Sequence, residues 1–254
     1  MKHENDRLAT PLYLKEDDST PWPESESVFY YLTKSGFFIC RNNPFFQSAV
    51  PARRWPSELA TQESFLHVRY PRIPRRQLEL AVGFFARVAD LAGAEAGVLI
   101  VWDSVAKRVS LVAPPQVATV YRARDGYTSP IGLHYDVPSD LPEGASVIGD
   151  IHSHVDHAAY SSATDQDDEV YRPGLHLVVG RIHREPPEFH CEAVVDGVRF
   201  RVAIDLVING YRQRRPDFPE SWLEKVRVET SSDSAGGARS GAASAYPYDR
   251  EARS

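Results

Sequence analysis

The chain has 254 residues, 42% of them hydrophobic, so it can bury one sizeable core or two small ones. Its formal net charge of -6 and its pI near 5.9 give no general attraction to nucleic acid, which is therefore not an expected partner. The sequence contains no run of about 18 apolar residues and no recognisable targeting segment, so we expect a cytoplasmic protein without a membrane partner.

The first part of the chain divides into segments by composition. Residues 1–26 are polar, contain prolines and lack periodicity, which predicts a flexible N-terminal arm. The stretch VFYYLTKSGFFICR then predicts two strands around a Ser-Gly turn, and a proline-punctuated connection follows it. We therefore expect a small β element with its connection over residues 27–73. At the other end, residues 229–254 are rich in Ser, Gly and Ala and are predicted to form a disordered tail.

The main domain is predicted over residues 74–228. Its first element is a helix that begins at Pro74, keeps apolar side chains on one face and ends at Gly93. A hairpin follows this helix, with strands over residues 98–103 and 108–113.

The rest of the domain is predicted to alternate strands with a helix. A long loop over residues 121–145, rich in Gly, Pro and Asp, is of the kind that borders a site. A strand that ends in GDIHSH, a helix, a second strand and a hairpin turned at Asp196-Gly197 come after it. This order of elements predicts a mixed α/β layout.

The stretch from Gly149 to Asp165 reads GDIHSHVDHAAYSSATD. Side chains alternate along a strand, so His152 and His154 project to the same face and can act as adjacent metal ligands. Asp165 lies eleven residues beyond His154, near the predicted start of the next helix, where the backbone can return it to the strand end. Two histidines and one carboxylate leave a fourth position open on zinc, as in catalytic sites. Water in that position has its pKa lowered to about 7 and becomes a usable nucleophile.

The same residues also have purely structural interpretations. A His-x-His pair by itself is a weak signal, because polar residues are common at strand edges. Ser162 or Thr164 can cap a helix whose acidic first turn complements the helix dipole. Since Cys40 and Cys191 lie far apart without a CxxC pair, nitrogen and oxygen would have to hold any metal. What favours a site is the joint spacing of His-Ser-His, seven residues, Ser, two residues and Asp.

This joint spacing resembles that of the JAMM metalloprotease family, also called MPN+ or JAB-domain proteins, and the resemblance covers about residues 74–208. The family motif is an upstream Glu, His-Ser/Thr-His, seven residues, Ser, two residues and Asp. The resemblance implies that His152, His154 and Asp165 bind Zn²⁺. It also implies that Ser162 helps to stabilise the tetrahedral oxyanion and that the upstream Glu is the base. The fold it implies is a JAMM/MPN-like, cytidine deaminase-like mixed α/β sheet flanked by helices, here with a small N-terminal β element.

The same resemblance assigns the catalytic base to Glu95. The family places this Glu where the first helix passes into the first strand, in stretches of the type Glu-x-x-Gly-Leu-Leu, and the corresponding stretch here is GAEAGVLIVW. Gly97 follows Glu95 by two positions instead of three, so an alignment on the glycine would place the base at Ala94. Val155 is a second departure, because many members of the family have proline there.

The function implied by this resemblance is a zinc-dependent isopeptidase or peptidase that cleaves after the C-terminus of a ubiquitin-like modifier, in deconjugation or precursor maturation. The compact acidic chain looks similar to bacterial deubiquitinase-like members that accompany ubiquitin-like conjugation systems, including antiphage ones. The implied partners are a ubiquitin-like protein and its conjugates, with the cognate activating and conjugating enzymes. The alternative is a non-catalytic MPN-like binding subunit.

A competing motif shares the same histidines. His152, His154, Asp156 and His157 also match the His-x-His-x-Asp-His motif of metallo-β-lactamase-fold hydrolases. That fold needs a second αββα half downstream, for which the remaining chain is short, and the Gly pair usual after the motif is replaced by AAYSS. The sequence therefore favours the JAMM interpretation, in which Asp156 and His157 only line the site.

Overall fold

The computed structural model of the chain describes residues 10–123, 126–138, 141–170 and 172–231. These residues form three β-sheets and two α-helices, which is a mixed α/β architecture, as predicted. Neither of these two α-helices is long and apolar enough to cross a membrane.

The chain divides into two compact units between Ser64 and Phe65. The strands of the first unit are β1 (Leu12–Leu14), β2 (Val28–Thr33), β3 (Gly36–Asn43) and β4 (Phe46–Pro51). They form a four-stranded sheet in the order β1-β2-β3-β4, in which β1 and β2 are parallel and the other neighbours antiparallel. Strands β2 and β3 match the prediction, whereas β4 lies in the predicted connection. Because almost all of its residues are exposed, β4 lacks the alternating pattern that marks a half-buried strand.

Residues 10–26, predicted to belong to a flexible arm, are built into this first unit, while residues 1–9 lie outside the described residues. Strand β1 pairs with β2, and Trp22 packs edge-on against Phe29 with ring centroids 5.0 Å apart. The segment has no apolar periodicity because only isolated aromatic side chains, Tyr13 and Trp22, pack against the core of the unit. The buried core of the unit is formed by Phe29, Tyr31 and Cys40, with Tyr13, Trp22 and Phe38 packed against it.

The second unit begins at Phe65 and contains a six-stranded and a three-stranded sheet. Its elements are α1 (Arg75–Ala92), β5 (Gly97–Asp103), β6 (Arg108–Val112), β7 (Gln116–Arg122), β8 (Thr128–Tyr135), β9 (Ala145–Ser153), α2 (Ala163–Glu169), β10 (Gly174–Gly180), β11 (Glu188–Val195), β12 (Val198–Arg201), short 3-10 helices at Ile204–Leu206 and Glu220–Lys225, and β13 (Val226–Ser231). The strand orders are β12-β11-β10-β9-β5-β6 and β13-β7-β8. In the larger sheet, β9 and β10 are parallel and the other neighbours antiparallel.

Helix α1 follows the sequence prediction closely. It begins directly after Pro74 and ends at Gly93, whose left-handed backbone (φ 63°) is the usual C-cap conformation. The N–H of Gly93 donates to the carbonyl oxygen of Ala89 at 2.7 Å. The apolar face of α1, including Phe85, is buried in the main core of the unit.

The six-stranded sheet presents chemically different faces. Ile151 of β9 belongs to the same apolar core as Phe85 of α1. Its neighbours Asp150 and His152 project to the opposite face because side chains alternate along a strand, and both are buried there. One face of the sheet therefore carries the core, and the other carries buried polar side chains.

Several parts of this unit differ from the sequence prediction, which also assigned no strand at β7. The predicted loop over residues 121–145 contains strand β8, where Pro130 and Gly132 obscure the strand pattern but are tolerated at the edge of a sheet. Glu229, placed in the predicted tail, lies in β13, which pairs in parallel with β7. The tail residues 232–254 lie outside the described residues. The unit also starts before residue 74, because Leu66, Val68 and Tyr70 pack against the main core.

Candidate metal centre

The two histidines and the aspartate of the motif converge at the end of β9. Nε2 of His152 lies 3.2 Å from Nε2 of His154 and 3.5 Å from Oδ1 of Asp165. Nε2 of His154 lies 3.3 Å from Oδ2 of Asp165. One ligand atom from each of the three residues lies within 4.8 Å of the other two, so the group could hold a metal ion. Two imidazole nitrogens and one carboxylate are a donor set that suits zinc and leaves one position open.

Backbone pairing between β9 and β10 fixes the histidines. The N–H of His154 donates to the carbonyl oxygen of Val179 at 2.9 Å, which extends the pairing beyond His152 to the end of β10. Gly149 has φ 155°, and a Cβ added there would lie only 1.9 Å from the carbonyl oxygen of Leu175. The close approach of the two strands therefore requires glycine at this position.

Asp165 is oriented by the start of helix α2. Oδ2 of Asp165 accepts a hydrogen bond from the N–H of Ser162 at 2.7 Å, and Oγ of Ser162 accepts one from the N–H of Asp165 at 3.2 Å. This is a capping box, so the predicted role of Ser162 as a helix cap is confirmed. The cap also aims the carboxylate of Asp165 at the histidines, and it leaves the hydroxyl proton of Ser162 free to be donated.

Glu95 is held beside the triad by the contacts of the two residues that follow it. The N–H of Ser153 donates to the carbonyl oxygen of Ala96 at 3.0 Å, and Oγ of Ser153 accepts from the N–H of Ala96 at 3.2 Å. The side chain of Gln116 satisfies both backbone groups of Gly97, at 2.7 and 3.0 Å. The bonds with Ser153 fix the start of β5 against the end of β9, where the histidines lie, and those with Gln116 tie it to β7.

The carboxyl of Glu95 interacts electrostatically with all three residues of the triad. Burial raises the pKa of Glu95, the two histidines lower it, Asp165 raises it, and the net result is a pKa above the usual value for Glu. A group with these properties suits a general base. Ala94, the alternative position, is fully buried and has no ionisable side chain.

Opposite charges within the triad stabilise one another. Burial opposes protonation of His152, but the carboxylates of Asp150 and Asp165 outweigh it and raise the pKa of His152 to about 10. Burial also opposes ionisation of Asp165, but its contacts with His152 and His154 outweigh this effect and hold the pKa of Asp165 well below its usual value. The triad therefore favours positive charge at its centre, and a metal ion would displace a proton there.

A second group of buried polar side chains lies directly beside the triad. Nδ1 of His152 lies 3.9 Å from Oδ1 of Asp150, whose Oδ2 lies 3.1 Å from Nδ1 of His176. The same nitrogen of His176 lies 3.5 Å from Oε1 of Glu169 in α2. Burial opposes protonation of His176, but Asp150 and Glu169 outweigh it and raise its pKa. Asp150, His152 and Glu169 form a second set of ligand atoms within 4.8 Å of one another.

Two arginines neutralise the carboxylates of this second group. Nη1 of Arg199 lies 2.9 Å from Oε2 of Glu169, and Nη2 of Arg172 lies 3.6 Å from Oδ2 of Asp150. Arg199 also donates to the carbonyl oxygen of Asp165 at 3.4 Å. Because Arg199 lies in β12, these contacts tie the helix that carries Asp165 to the sheet.

The competing motif is not assembled in the same way. Asp156 is exposed and lies 3.0 Å from Nε2 of His183, and His157 is also exposed. Among the described residues, neither belongs to a group that could hold a metal ion. The chain turns away at Val155, whose φ of 48° is rare for a β-branched residue. Proline fixes φ near about -65° and could not adopt this conformation, which accounts for its absence here.

Sequence reasoning missed His176, Glu169 and Arg199 as members of the site. One signal was present: His176 is a lone polar residue in the apolar strand GLHLVVG. In the structure it lies opposite Asp150 in the pairing of β9 and β10. That pairing joins residues far apart in the chain, so the sequence alone did not reveal it.

No protein-family model matches this sequence, and no curated protein matches it either. Among solved structures, the chain is similar to the solution structure of a protein from Salinibacter ruber (strain DSM 13855), with 17% sequence identity and a TM-score of 0.28. The similarity covers 57% of this chain and 90% of that chain. A TM-score of this size supports no conclusion about fold family or function.

Proposed function

We propose that this chain is a zinc-dependent peptidase or isopeptidase of the JAMM type, which cleaves after the C-terminus of a ubiquitin-like modifier. The observation that supports it most is the convergence of His152, His154 and Asp165 beside the partly buried carboxyl of Glu95. The spacing of these residues along the chain resembles the family motif, and a mixed sheet flanked by helices is compatible with a JAMM/MPN-like fold. A bacterial ubiquitin-like conjugation or antiphage system is the proposed setting.

Zinc is the metal we propose, because two imidazoles and one carboxylate leave the open fourth position typical of its catalytic sites. When bound, it would supply a Lewis acid and lower the pKa of water at the site. Proton transfer and oxyanion stabilisation are proposed for the protein's own side chains.

Glu95 is proposed to take a proton from the attacking water and to return it to the leaving amine. Its raised pKa brings the carboxyl nearer to the range in which both transfers are efficient. The water oxygen forms a bond with the carbonyl carbon of the modifier's last residue, and the bond from that carbon to the nitrogen of the leaving amine breaks. Ser162 is proposed to donate a hydrogen bond from its hydroxyl group to the oxyanion, because its role as a helix cap uses only the hydroxyl oxygen as an acceptor.

The first experiment combines metal analysis with cleavage. The purified protein is expected to carry one zinc per chain and to cleave a ubiquitin-like protein with a C-terminal peptide extension, or an isopeptide-linked conjugate of it. Treatment with a chelator should abolish cleavage, and added Zn²⁺ should restore it. Metal binding without cleavage of any such probe would favour the non-catalytic MPN-like binding subunit instead.

The second experiment tests the base. Glu95→Gln keeps the size of the side chain but cannot accept a proton, so turnover should fall by about 10²-fold or more while zinc remains bound. Glu224→Gln is the matched control, because Glu224 is an exposed carboxylate in the 3-10 helix Glu220–Lys225. Wild-type turnover in Glu95→Gln would reject Glu95 as the base.

A further inference from the structure

The imidazole of His152 lies between two different environments. Nε2 faces the candidate metal triad, at 3.2 Å from Nε2 of His154 and 3.5 Å from Oδ1 of Asp165. Nδ1 faces Oδ1 of Asp150 at 3.9 Å. If Nε2 gives its lone pair to a metal, the ring proton must lie on Nδ1, and it then points toward Asp150.

Asp150 has an oxygen that lacks a partner. Its side chain is only 3% exposed, and its Oδ1 forms no hydrogen bond with the described residues. The other oxygen, Oδ2, is already engaged by His176 at 3.1 Å. A buried carboxylate oxygen without a donor is unfavourable, so Oδ1 is prepared to accept a proton donor from its neighbour His152.

The second set of ligand atoms, Asp150, His152 and Glu169, could also be taken for a second metal site. The charges around it argue against this interpretation. The guanidinium groups of Arg199 and Arg172 lie 2.9 Å from Glu169 and 3.6 Å from Asp150. Both groups stay positively charged, so a second divalent cation would meet carboxylates that are already neutralised and would be repelled by their partners.

We propose that Asp150 is a positioning residue for the metal centre, which accepts the Nδ1–H of His152 and thereby directs Nε2 toward the metal. Carboxylates that hold a ligating histidine in this way fix the tautomer and the ring orientation and make the ligand nitrogen more basic. His176 holds Asp150 from the neighbouring strand, and Glu169 links it to α2. The network therefore connects the two elements that carry the ligands, β9 and α2. This inference rests on the metal site of the proposed function but not on the proposed substrate.

The test is the affinity of the intact protein for Zn²⁺ alone, measured by competition with a chromophoric chelator. Asp150→Asn keeps the shape of the side chain and removes its charge, and we expect it to weaken Zn²⁺ binding by about 10- to 100-fold. The absorption bands of bound Co²⁺ should also shift, since the ring of His152 is no longer held. Asp205→Asn, which removes an exposed carboxylate from the 3-10 helix Ile204–Leu206, should leave both readouts unchanged.

Thermal unfolding of the metal-free variants separates positioning from a general structural role. If Asp150→Asn lowers the melting temperature but leaves Zn²⁺ affinity unchanged, the proposal is overturned. Should this variant fail to fold, ¹⁵N NMR of the wild-type protein loaded with Zn²⁺ decides instead. Nitrogen shifts of His152 that place the proton on Nδ1 and the metal on Nε2 support the proposal, and the reverse assignment overturns it. Binding of two zinc ions per chain would overturn it as well.

The proposed function and this inference fail in different ways. A wild-type protein that binds one zinc but cleaves no ubiquitin-like probe contradicts the proposed function and leaves the role of Asp150 testable through affinity. Unchanged affinity in Asp150→Asn contradicts this inference even when cleavage by the wild-type protein is established.

Discussion

The two faces of the six-stranded sheet are buried for different reasons. On one face, Ile151 and Leu177 pack in the same core as Phe85 of α1, and these side chains are buried because burial removes apolar surface from water. On the opposite face, Asp150, His152 and His176 are almost as deeply buried, although burial of charged groups is costly unless they are paired.

This difference separates stability from chemistry within one sheet. The apolar face needs only side chains of suitable size and periodicity, because the hydrophobic effect is not directional. The polar face needs specific partners at specific distances, such as the 3.1 Å contact of His176 with Asp150. Substitutions on the apolar face should therefore change the free energy of unfolding, and those on the polar face should change metal binding.

The largest expected effect lies on the polar face. His154→Ala and Asp165→Ala each remove one of the three ligands, so stoichiometric zinc binding should be lost, because two ligands are too few for a tight site. Metal analysis of the purified variants measures this. The control is His134→Ala, since the side chain of His134 is 74% exposed and belongs to β8. Full zinc retention in both ligand variants would reject the site.

The next effect lies on the apolar face. Phe85→Ala removes a fully buried ring from α1 and should lower the free energy of unfolding by about 3–5 kcal/mol, measured by urea denaturation. Leu91→Ala is its control, because Leu91 lies in the same helix but is 60% exposed. The chains that remain folded should still bind zinc with wild-type affinity. A loss of affinity in this variant would show that the two faces are not separable.

The sequence predicted the apolar face well. Helix α1 and strands β5, β6, β9 and β10 were recognised from apolar periodicity and from the residues that end them, such as Gly93. Strand β4 was missed because almost all of its residues are exposed, and β8 was missed because its mostly half-buried residues do not alternate and include Pro130. Strand β13 was missed because its partner β7 lies about a hundred residues earlier in the chain, and only the register Val226 to Gln116 reveals the pair.

A smaller effect, on stability and zinc binding together, is expected at Gly149, because its strand β9 carries residues of both faces of the sheet. Gly149→Ala places a Cβ against the backbone of Leu175 at 1.9 Å, so β9 must move away from β10. We expect a loss of about 1–3 kcal/mol in stability together with weaker zinc binding, since β9 carries both Ile151 and His152. In Gly132→Ala the added Cβ meets nothing within 4 Å, so that variant should be neutral. Wild-type zinc affinity in Gly149→Ala would show that the triad tolerates displacement of the strand.

The polar face was only partly predictable. His152, His154, Ser162 and Asp165 follow a linear spacing, which is why the sequence could propose them as a group. Apart from Asp150, which lies two positions before His152 in β9, the neighbours that hold them come from other strands and a helix, and their importance depends on strand register and not on spacing. Gln116, for instance, supports the start of β5 through Gly97, and nothing in its local sequence indicates this contact.

The smallest expected effect decides between the two motifs that share the histidines. In the metallo-β-lactamase interpretation His157 is a ligand, so His157→Ala should remove metal. The structure instead leaves the His157 side chain exposed, while its backbone N–H donates to the carbonyl oxygen of His154 at 2.9 Å and its carbonyl oxygen accepts from the N–H of Arg181 at 2.7 Å. Alanine keeps both backbone bonds, so zinc content, affinity and stability should all match the wild type. Loss of metal in this variant would move the site from the triad with Asp165 to the competing motif.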